Sequence, residues 1–247
     1  MYHSIITRFA SAQEAFSLNQ ANAPRPQEDY RFTPLGATTL LSPVPVVMVS
    51  CRENGHDTPN ILTVAWTGTV CTQPPMLSIS VRRERFSYDK IVKSGEFYVN
   101  FPSQGMLKAA DLCGVRSGRN IDKFAACALT PVYPDALSIA PAIAQAPVCI
   151  ACRVENVIPL GSHDLILARI VQTYVQRRFI GEGGSLELER AQLVAYRHGD
   201  YVALGKKLGF FGFSVASQKV LKRRLGSGAK VPARDAASHT RKGGKER

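Results

Sequence analysis

Hydroxyl, glycine and arginine residues crowd the stretch of chain from 60 to 88, and this mixture suits a phosphorylated, planar ligand. Ile61–Trp66 and Met76–Val81 are runs of β-type residues, and the segment between them is predicted to be a turn. Threonine hydroxyls and a glycine backbone can offer O–H and N–H donors to one ligand. The residues of the predicted turn that carry these donors are Thr67, Gly68 and Thr69, ahead of the Pro74-Pro75 pair.

A basic cluster follows the second run. Arg82, Arg83 and Arg85 lie in a predicted strand-to-helix turn, and Ser87 adds a hydroxyl and a candidate N-cap. A guanidinium group grips phosphate oxygens through a planar fork, and helix N-termini also favour anions. The alternative is a surface cluster paired with neighbouring carboxylates. Trp66, the one tryptophan of the chain, could lie along a flat ring, although a lone tryptophan after a strand is often part of the core.

The order of these residues resembles the flavin reductase-like, FMN-binding split-barrel family, in its flavoredoxin branch. The resemblance extends over residues 31–215, and it therefore implies the fold of the whole domain. That fold is mainly β, an FMN-binding split β-barrel with a few short peripheral helices. Beyond the stretch already described, the segments that carry the resemblance are Leu35–Ala37, Pro43–Val47, Ser94–Phe97, Val99-Asn100, Cys113–Val115, Ser117–Arg119, Asp122–Phe124, Gly161–Asp164, Ala195-Tyr196, His198-Gly199, Tyr201, Leu204–Gly209 and Phe211–Val215.

The resemblance also implies a cofactor site. FMN would be the cofactor and NAD(P)H the co-substrate, and hydride transfer would belong to the cofactor, so no catalytic or metal-binding residue is expected. Lys123 and His163 would reach the flavin, although a solvated lysine and a surface His-Asp pair are the simpler interpretations. The predicted cofactor-binding residues are Asn60, Trp66, Thr67, Gly68, Thr69, Ser80, Arg82, Arg85, Ser87, Lys123, His163 and Tyr196.

The implied activity is electron transfer from NAD(P)H through FMN to a flavin or another acceptor. A monooxygenase component or another redox protein would be the partner. FMN would lie at or near the interface of a homodimer, and the Phe-rich segment Leu208–Phe213 could provide cover from a second subunit. Two alternatives remain open. The chain could be a flavin carrier or electron-transfer protein that does not oxidise NAD(P)H, or a nucleic-acid-associated protein that acts through its basic tail.

The net charge of +12 is concentrated at the C-terminus. Residues 216–247 hold ten Lys/Arg and two Asp/Glu, and they lack aromatic residues, so this tail is predicted to be disordered. We expect no membrane partner, and a nucleic-acid partner is less expected than a solvated extension. The N-terminus lacks the apolar region of a secretory signal, which favours a cytoplasmic location.

The six cysteines are predicted to be reduced thiols, and none belongs to a Cys/His cluster with zinc spacing. Cys149 and Cys152 have the spacing of a redox pair, but they fall in a predicted strand. Residues three apart in a strand point to opposite faces, which favours two separately buried cysteines.

The predicted organisation is an N-terminal extension of residues 1–30, a domain of residues 31–215 and the tail of residues 216–247. Short β-type runs dominate the domain and are separated by turn signals, an arrangement that favours a barrel. The predicted strands are Val44–Ser50, Ile61–Trp66, Met76–Val81, Glu96–Asn100, Val148–Leu160, Leu165–Arg178 and Leu193–Tyr196. The predicted helical segments are Ser87–Lys93, Gly105–Cys113, Ile121–Phe124 and one turn at Glu187–Gln192.

Overall fold

A computed structural model describes residues 31–225 of the chain. The chain divides into a first unit of residues 1–40 and a second unit of residues 41–247. Residues 31–40, the described part of the first unit, contain no helix or strand. The predicted extension of residues 1–30 lies outside the described residues, and the predicted domain boundaries stay predictions.

The second unit is mainly β, as the sequence predicts. Its described strands are β1 Val44–Pro45, β2 Val47–Cys51, β3 Asn60–Val64, β4 Thr67–Thr72, β5 Pro75–Val81, β6 Glu96–Phe101, β7 Pro131–Val132, β8 Ala142–Ile143, β9 Val148–Pro159, β10 Asp164–Val175, β11 Val194–Arg197 and β12 Asp200–Ala203. Its described α-helices are α1 Phe86–Ser94, α2 Leu107–Val115, α3 Lys123–Ala126 and α4 Gln218–Leu225. Short 3₁₀ turns cover Gln104–Met106, Arg177–Phe179, Glu182–Gly184, Leu188–Ala191 and Phe213–Val215.

Seven strands form the main sheet in the order β3-β2-β6-β9-β10-β5-β4. The two edge strands, β3 and β4, are separated in sequence by Ala65 and Trp66 alone. Strands in a flat sheet lie about 4.8 Å apart, so the edges would be about 29 Å apart. The two-residue connection spans at most about 11 Å between the flanking Cα atoms. The sheet must therefore curl until its edges meet, which produces a barrel that is split between β3 and β4.

The alternation of side chains along the strands produces two buried clusters on opposite faces of the curled sheet. On β2, Val47 and Val49 belong to one cluster and Met48 to the other. Six strands supply the first cluster, which fills the interior of the barrel together with Ile91 of α1. The second cluster lies on the outer face of the sheet, where α2, α3 and the segment 129–146 cover it. Both faces of the central strands are consequently buried.

The turn predicted at Thr67–Thr69 is wrong. These residues begin β4, which pairs with β5 in the register Thr67↔Ile79, and the turn lies instead at Gln73 and Pro74. Threonine and valine favour extended backbone, and the partner strand stabilises it despite Gly68. The hydroxyl and glycine residues that suggested a turn therefore belong to an edge strand.

The N-cap predicted at Ser87 is also wrong. Helix α1 begins at Phe86, its N-cap residue is Arg85 without a side-chain bond, and Ser87 is buried inside the first turn. The helix ends at Gly95, which adopts φ of 68° and donates its N–H to the carbonyl of Ile91. A residue with a Cβ would be strained in that left-handed conformation.

The tail is not uniformly disordered as predicted, because Gln218–Leu225 forms α4 with Leu221 buried. The rest of the tail lies outside the described residues. None of the helices described between residues 31 and 225 has the length and apolarity needed to cross a bilayer.

The interpretation of Cys149 and Cys152 is confirmed. Both lie on β9, with Cys149 in the outer cluster and Cys152 in the interior cluster, so their thiols are on opposite faces of the sheet. All six cysteines are free thiols in the structure. Among the described residues, no group of three or more His, Cys, Asp or Glu is arranged to hold a metal ion.

Asn100 provides a test of how the outer cover is fixed to the sheet. Its amide nitrogen donates to the Met48 carbonyl and to the Ser50 hydroxyl, each at 2.8 Å, and its oxygen accepts from the Ile143 N–H at 2.9 Å. Replacing it with alanine removes these three buried hydrogen bonds, so we expect Asn100→Ala to lower the free energy of unfolding by about 2–4 kcal/mol. Urea unfolding measures this change. The exposed Asn156 of β9 is the matched control, and Asn156→Ala should change stability by less than about 0.5 kcal/mol.

Candidate functional site

Two adjoining cavities lie between β3 and the C-terminal end of β5, and together they are called the groove. The first has a volume of about 500 Å³ and the second about 280 Å³. Leu62, Arg82 and Arg85 line both, so the cavities meet beside the middle of β3 and the residues that follow β5. The same curl that closes the sheet therefore builds the groove.

The first cavity forms the basic end of the groove. The predicted residues that line it are Asn60, Arg82, Arg85, Ser87 and Lys123. The structure adds one acidic residue, Glu84, and also Arg116, Ser117, Gly118 and Arg119, a segment between α2 and α3 to which the sequence analysis assigned no role in the site. Its signal in the sequence was a Ser-Gly pair between two arginines, a composition that suits an anion.

Lys123 is the most buried cation of the groove, with 2% of its surface exposed. Its ammonium group donates to the carbonyls of Ile61 and Cys113 at 2.7 and 2.8 Å. Burial lowers the pKa of Lys123. No carboxylate forms an ion pair with it among the described residues, so backbone dipoles alone compensate its charge. An anion in the adjacent cavity would stabilise the charged form.

Asn60 and Ser87 are fixed to each other inside the cavity wall. The Asn60 amide donates to the Ser87 hydroxyl at 2.7 Å, and both residues are buried. Gly118 approaches this pair so closely that an added Cβ would lie 2.1 Å from the Asn60 amide oxygen and 2.7 Å from the Phe86 ring. Arg119 donates to the Glu84 carbonyl at 3.1 Å. The loop carrying Gly118 is consequently held against the N-terminal end of α1.

The second cavity forms the aromatic end of the groove. Trp66 lies in the two-residue connection, and the centroid of its ring is 4.7 Å from that of His163, in the turn between β9 and β10. The Ser80 N–H donates to the Trp66 carbonyl at 2.9 Å and fixes the connection to β5. Burial, and then the charge of Arg82, lower the pKa of His163. The imidazole is therefore neutral at pH 7.

Four of the predicted residues do not line the groove. Thr67, Gly68 and Thr69 lie along edge strand β4, and the Thr67 hydroxyl donates to the Ser78 carbonyl at 2.8 Å. Tyr196 lies in the separate sheet β1-β11-β12, where its ring contacts Tyr201 with centroids 5.6 Å apart. Asn60, Trp66, Ser80, Arg82, Arg85, Ser87, Lys123 and His163 are the predicted residues that the structure brings together.

Arg83 separates from the other two arginines of its turn. Its guanidinium binds the Asp164 carboxylate at 2.8 Å, and the Tyr88 hydroxyl donates to the same carboxylate at 2.5 Å. The Arg83 guanidinium and the Tyr88 hydroxyl lower the pKa of Asp164. Arg82 and Arg85 line the groove, so the turn directs one arginine into a structural ion pair and two toward the groove.

Comparison with known proteins agrees with this geometry. Residues 40–204 match the model of the flavin reductase-like domain. The chain belongs to the flavin reductase-like family, in its flavoredoxin branch. It is similar to the solved structure of flavoredoxin from Desulfovibrio vulgaris (Miyazaki F), with 30% identity and a TM-score of 0.68, over 73% of this chain and 97% of that one.

Two curated relatives share less of their length with this chain. An uncharacterized protein of Archaeoglobus fulgidus is 27% identical over 118 residues, which are 48% of this chain and 66% of that protein. The FMN reductase (NADH) RutF of Pseudomonas syringae pv. syringae is 25% identical over 103 residues, which are 42% of this chain and 55% of that protein. The chain thus spans about two thirds of the first of these relatives and about half of the second.

The environment of His163 leads to a prediction about pH. We expect its pKa, followed by NMR titration of the imidazole protons, to lie below 6.5, and to rise in Arg82→Gln because a repelling charge is removed. Since the folded-state pKa is below the unfolded value, the unfolded state binds more protons near pH 6. The contribution of His163 to the unfolding free energy therefore falls as the pH drops through that window.

Arg169→Gln is the matched control, because Arg169 pairs with Glu155 on the strands β9 and β10, away from the turn that carries His163. An unchanged His163 titration in Arg82→Gln would contradict the electrostatic coupling.

Proposed function

We propose that the groove binds FMN and that the protein is an oxidoreductase that passes electrons from NAD(P)H through FMN to a flavin or another acceptor. The observation that carries the proposal is the pairing of a basic cavity, which also has two serine hydroxyls, with an aromatic one between β3 and the end of β5. FMN has the same two parts, a phosphate and a flat ring. The match of the chain to the flavin reductase-like domain supports the assignment of this pairing to a flavin.

The residues of the basic cavity would hold the phosphate. Arg85 and Arg82 supply exposed guanidinium groups, and Ser87 supplies a hydroxyl that already accepts from Asn60. Lys123 supplies a buried positive charge that lacks a carboxylate partner among the described residues. These cations would make charge-assisted hydrogen bonds to an anion such as a phosphate monoester.

The residues of the aromatic cavity would orient the ring. Trp66 offers a flat surface, and the neutral His163 imidazole can donate or accept one hydrogen bond at the ring edge. Bound flavin would supply the hydride chemistry, and the protein would bind it, orient it and limit the access of water.

The remaining parts of the proposal rest on the family resemblance. NAD(P)H would be the electron donor, and a monooxygenase component or another redox protein would be the partner. The working form would be a homodimer in the cytoplasm.

Selectivity for the phosphate is the first test. We expect FMN to bind more tightly than riboflavin, and Arg85→Ala to weaken FMN binding by about 1.5–3 kcal/mol, the scale of a hydrogen bond to a charged group. Flavin fluorescence titration measures both affinities. Riboflavin affinity should not change in Arg85→Ala, because riboflavin lacks the phosphate.

Arg83→Ala is the matched control, since Arg83 is bonded to Asp164 outside the groove. It should reduce FMN affinity much less than Arg85→Ala does. A larger effect of Arg83→Ala, or equal affinities for FMN and riboflavin, would contradict phosphate binding by Arg85.

The electron donor is the second test. Addition of NADH or NADPH to the FMN-loaded protein without oxygen should bleach the visible flavin absorbance, because the proposed reaction reduces the ring. Bleaching by dithionite but by neither nucleotide would favour the alternative of a carrier or electron-transfer protein that does not oxidise NAD(P)H. No retained or added flavin absorbance at all would contradict the flavin proposal itself.

A further inference from the structure

Two cysteine thiols meet where two of the helices that cover the sheet approach each other. Cys113 belongs to α2, and Cys127 is the C-cap residue of α3. Their sulfur atoms are 3.9 Å apart, although the residues are 14 positions apart in the sequence. Both side chains pack in the outer cluster, so the contact lies within the cover of the sheet. Neither thiol lines the groove, and the proposed function uses neither.

The two thiols bracket a part of the chain that builds the basic cavity. The segment between them contains Arg116, Arg119 and Lys123, which line that cavity. Backbone bonds already tie Lys123 to both ends of the segment. Its ammonium donates to the Cys113 carbonyl at 2.8 Å, and its carbonyl accepts from the Cys127 N–H at 3.2 Å. A covalent bond between the thiols would therefore close a loop around this segment and fix both of its ends.

The environments of the two thiols differ in a way that assigns them different roles. Cys113 is fully buried, and burial raises its pKa to about 12, so its thiolate is scarce at neutral pH. Cys127 is half-buried, and a small uncharged oxidant therefore reaches it first. A buried thiol in contact with an accessible one is the arrangement of a resolving cysteine beside a redox-sensing cysteine.

We propose that Cys113 and Cys127 are a peroxide-sensitive thiol pair that closes into a disulfide and locks the segment between them. Hydrogen peroxide is the oxidant. The Cys127 sulfur attacks one peroxide oxygen, so an S–O bond forms, the O–O bond breaks, and the released hydroxide leaves as water with the thiol proton. The Cys113 sulfur then attacks the Cys127 sulfenic acid. An S–S bond forms, the S–O bond breaks, and the second hydroxide leaves as water with the Cys113 proton.

The balance of the two steps is that two thiols are oxidised to one disulfide and one peroxide is reduced to two waters. A small dithiol reverses the bridge by thiol–disulfide exchange. Disulfides of this transient kind are the ones found in reducing compartments. The two thiols are free in the structure, which corresponds to the reduced form of the pair.

Closure requires the two sulfur atoms to approach to a bond length of about 2.05 Å. Helix α3 has four residues and Cys127 follows its last one, so the movement involves a helix end and not a strand of the sheet. Cys149 and Cys152 are closer in sequence, but they lie on opposite faces of β9, which keeps their thiols apart. Contact in the fold, and not spacing in the sequence, therefore identifies the pair.

Peptide mapping of the full-length protein tests the proposal without any bound ligand. The protein is reduced, treated with hydrogen peroxide, alkylated and digested with trypsin. We expect a bridge between the peptides 109–116 and 124–153, and fragmentation should place it at Cys127, although Cys149 and Cys152 share the second peptide. In the undigested protein, brief treatment with trypsin should cleave after Arg119 at least about tenfold more slowly in the oxidised form, because the disulfide restricts opening of the segment.

Cysteine variants provide the controls. Cys127→Ser should form no bridge and should keep its cleavage rate after peroxide treatment. Cys71→Ser is the matched control, because Cys71 is also half-buried but lies on the edge strand β4, and it should form the bridge as the unaltered chain does. Cys113→Ala should accumulate the sulfenic acid of Cys127, which a dimedone probe labels. Circular dichroism establishes that each variant is folded.

Three outcomes would overturn the proposal. The first is the absence of a bridge between Cys113 and Cys127 in the folded, peroxide-treated protein. The second is a bridge that forms without any change in the cleavage rate after Arg119, which would leave the segment unlocked. The third is an equal slowing of that cleavage in Cys127→Ser, which would assign the protection to oxidation elsewhere in the chain.

Discussion

The two-residue connection between β3 and β4 is the constraint on which the rest of the structure depends. Because Ala65 and Trp66 must join the two edges of a seven-stranded sheet, the sheet cannot remain open. The bond from the Ser80 N–H to the Trp66 carbonyl fixes that connection to the end of β5. The groove lies beside this connection, between β3 and the end of β5, so the feature that closes the barrel also sets the position of the candidate site.

The sequence predicted most of the strands and the basic side of the groove, because these depend on local patterns. Period-two alternation along the strands and an arginine cluster after β5 are readable within a few residues. The segment 116–119 escaped prediction, since only the fold brings it against Asn60 and Phe86. Strand β4 was mistaken for a turn because its hydroxyl and glycine residues are typical of turns. Their extended conformation depends on pairing with β5, which a local pattern does not reveal. Helix α4 was missed because its one buried anchor, Leu221, stands among charged residues.

Separation of charge within one short turn explains how the groove stays basic. Asp164 binds Arg83 and so keeps its carboxylate away from the ligand side of the turn. Arg82 and Arg85 then face the groove, where burial and, after it, their charges lower the pKa of His163. The assembly of this arrangement needs the pairing of β5 with β10, whose residues are far apart in sequence. Such long-range pairing forms slowly, so we expect the groove to be completed late in folding.

If the groove binds an anion as proposed, the burial of Lys123 ties the stability of the protein to that binding. Two carbonyl dipoles hold its charge, and no carboxylate among the described residues forms an ion pair with it. The buried ammonium group of the ligand-free fold is therefore incompletely compensated. A ligand that binds only the folded state adds RT ln(1 + [L]/Kd), about 2.7 kcal/mol at a hundred times Kd. The midpoint of thermal unfolding should therefore depend on the concentration of the anion supplied. Protein purified without it would lose structure, and so be degraded, more readily than the loaded form.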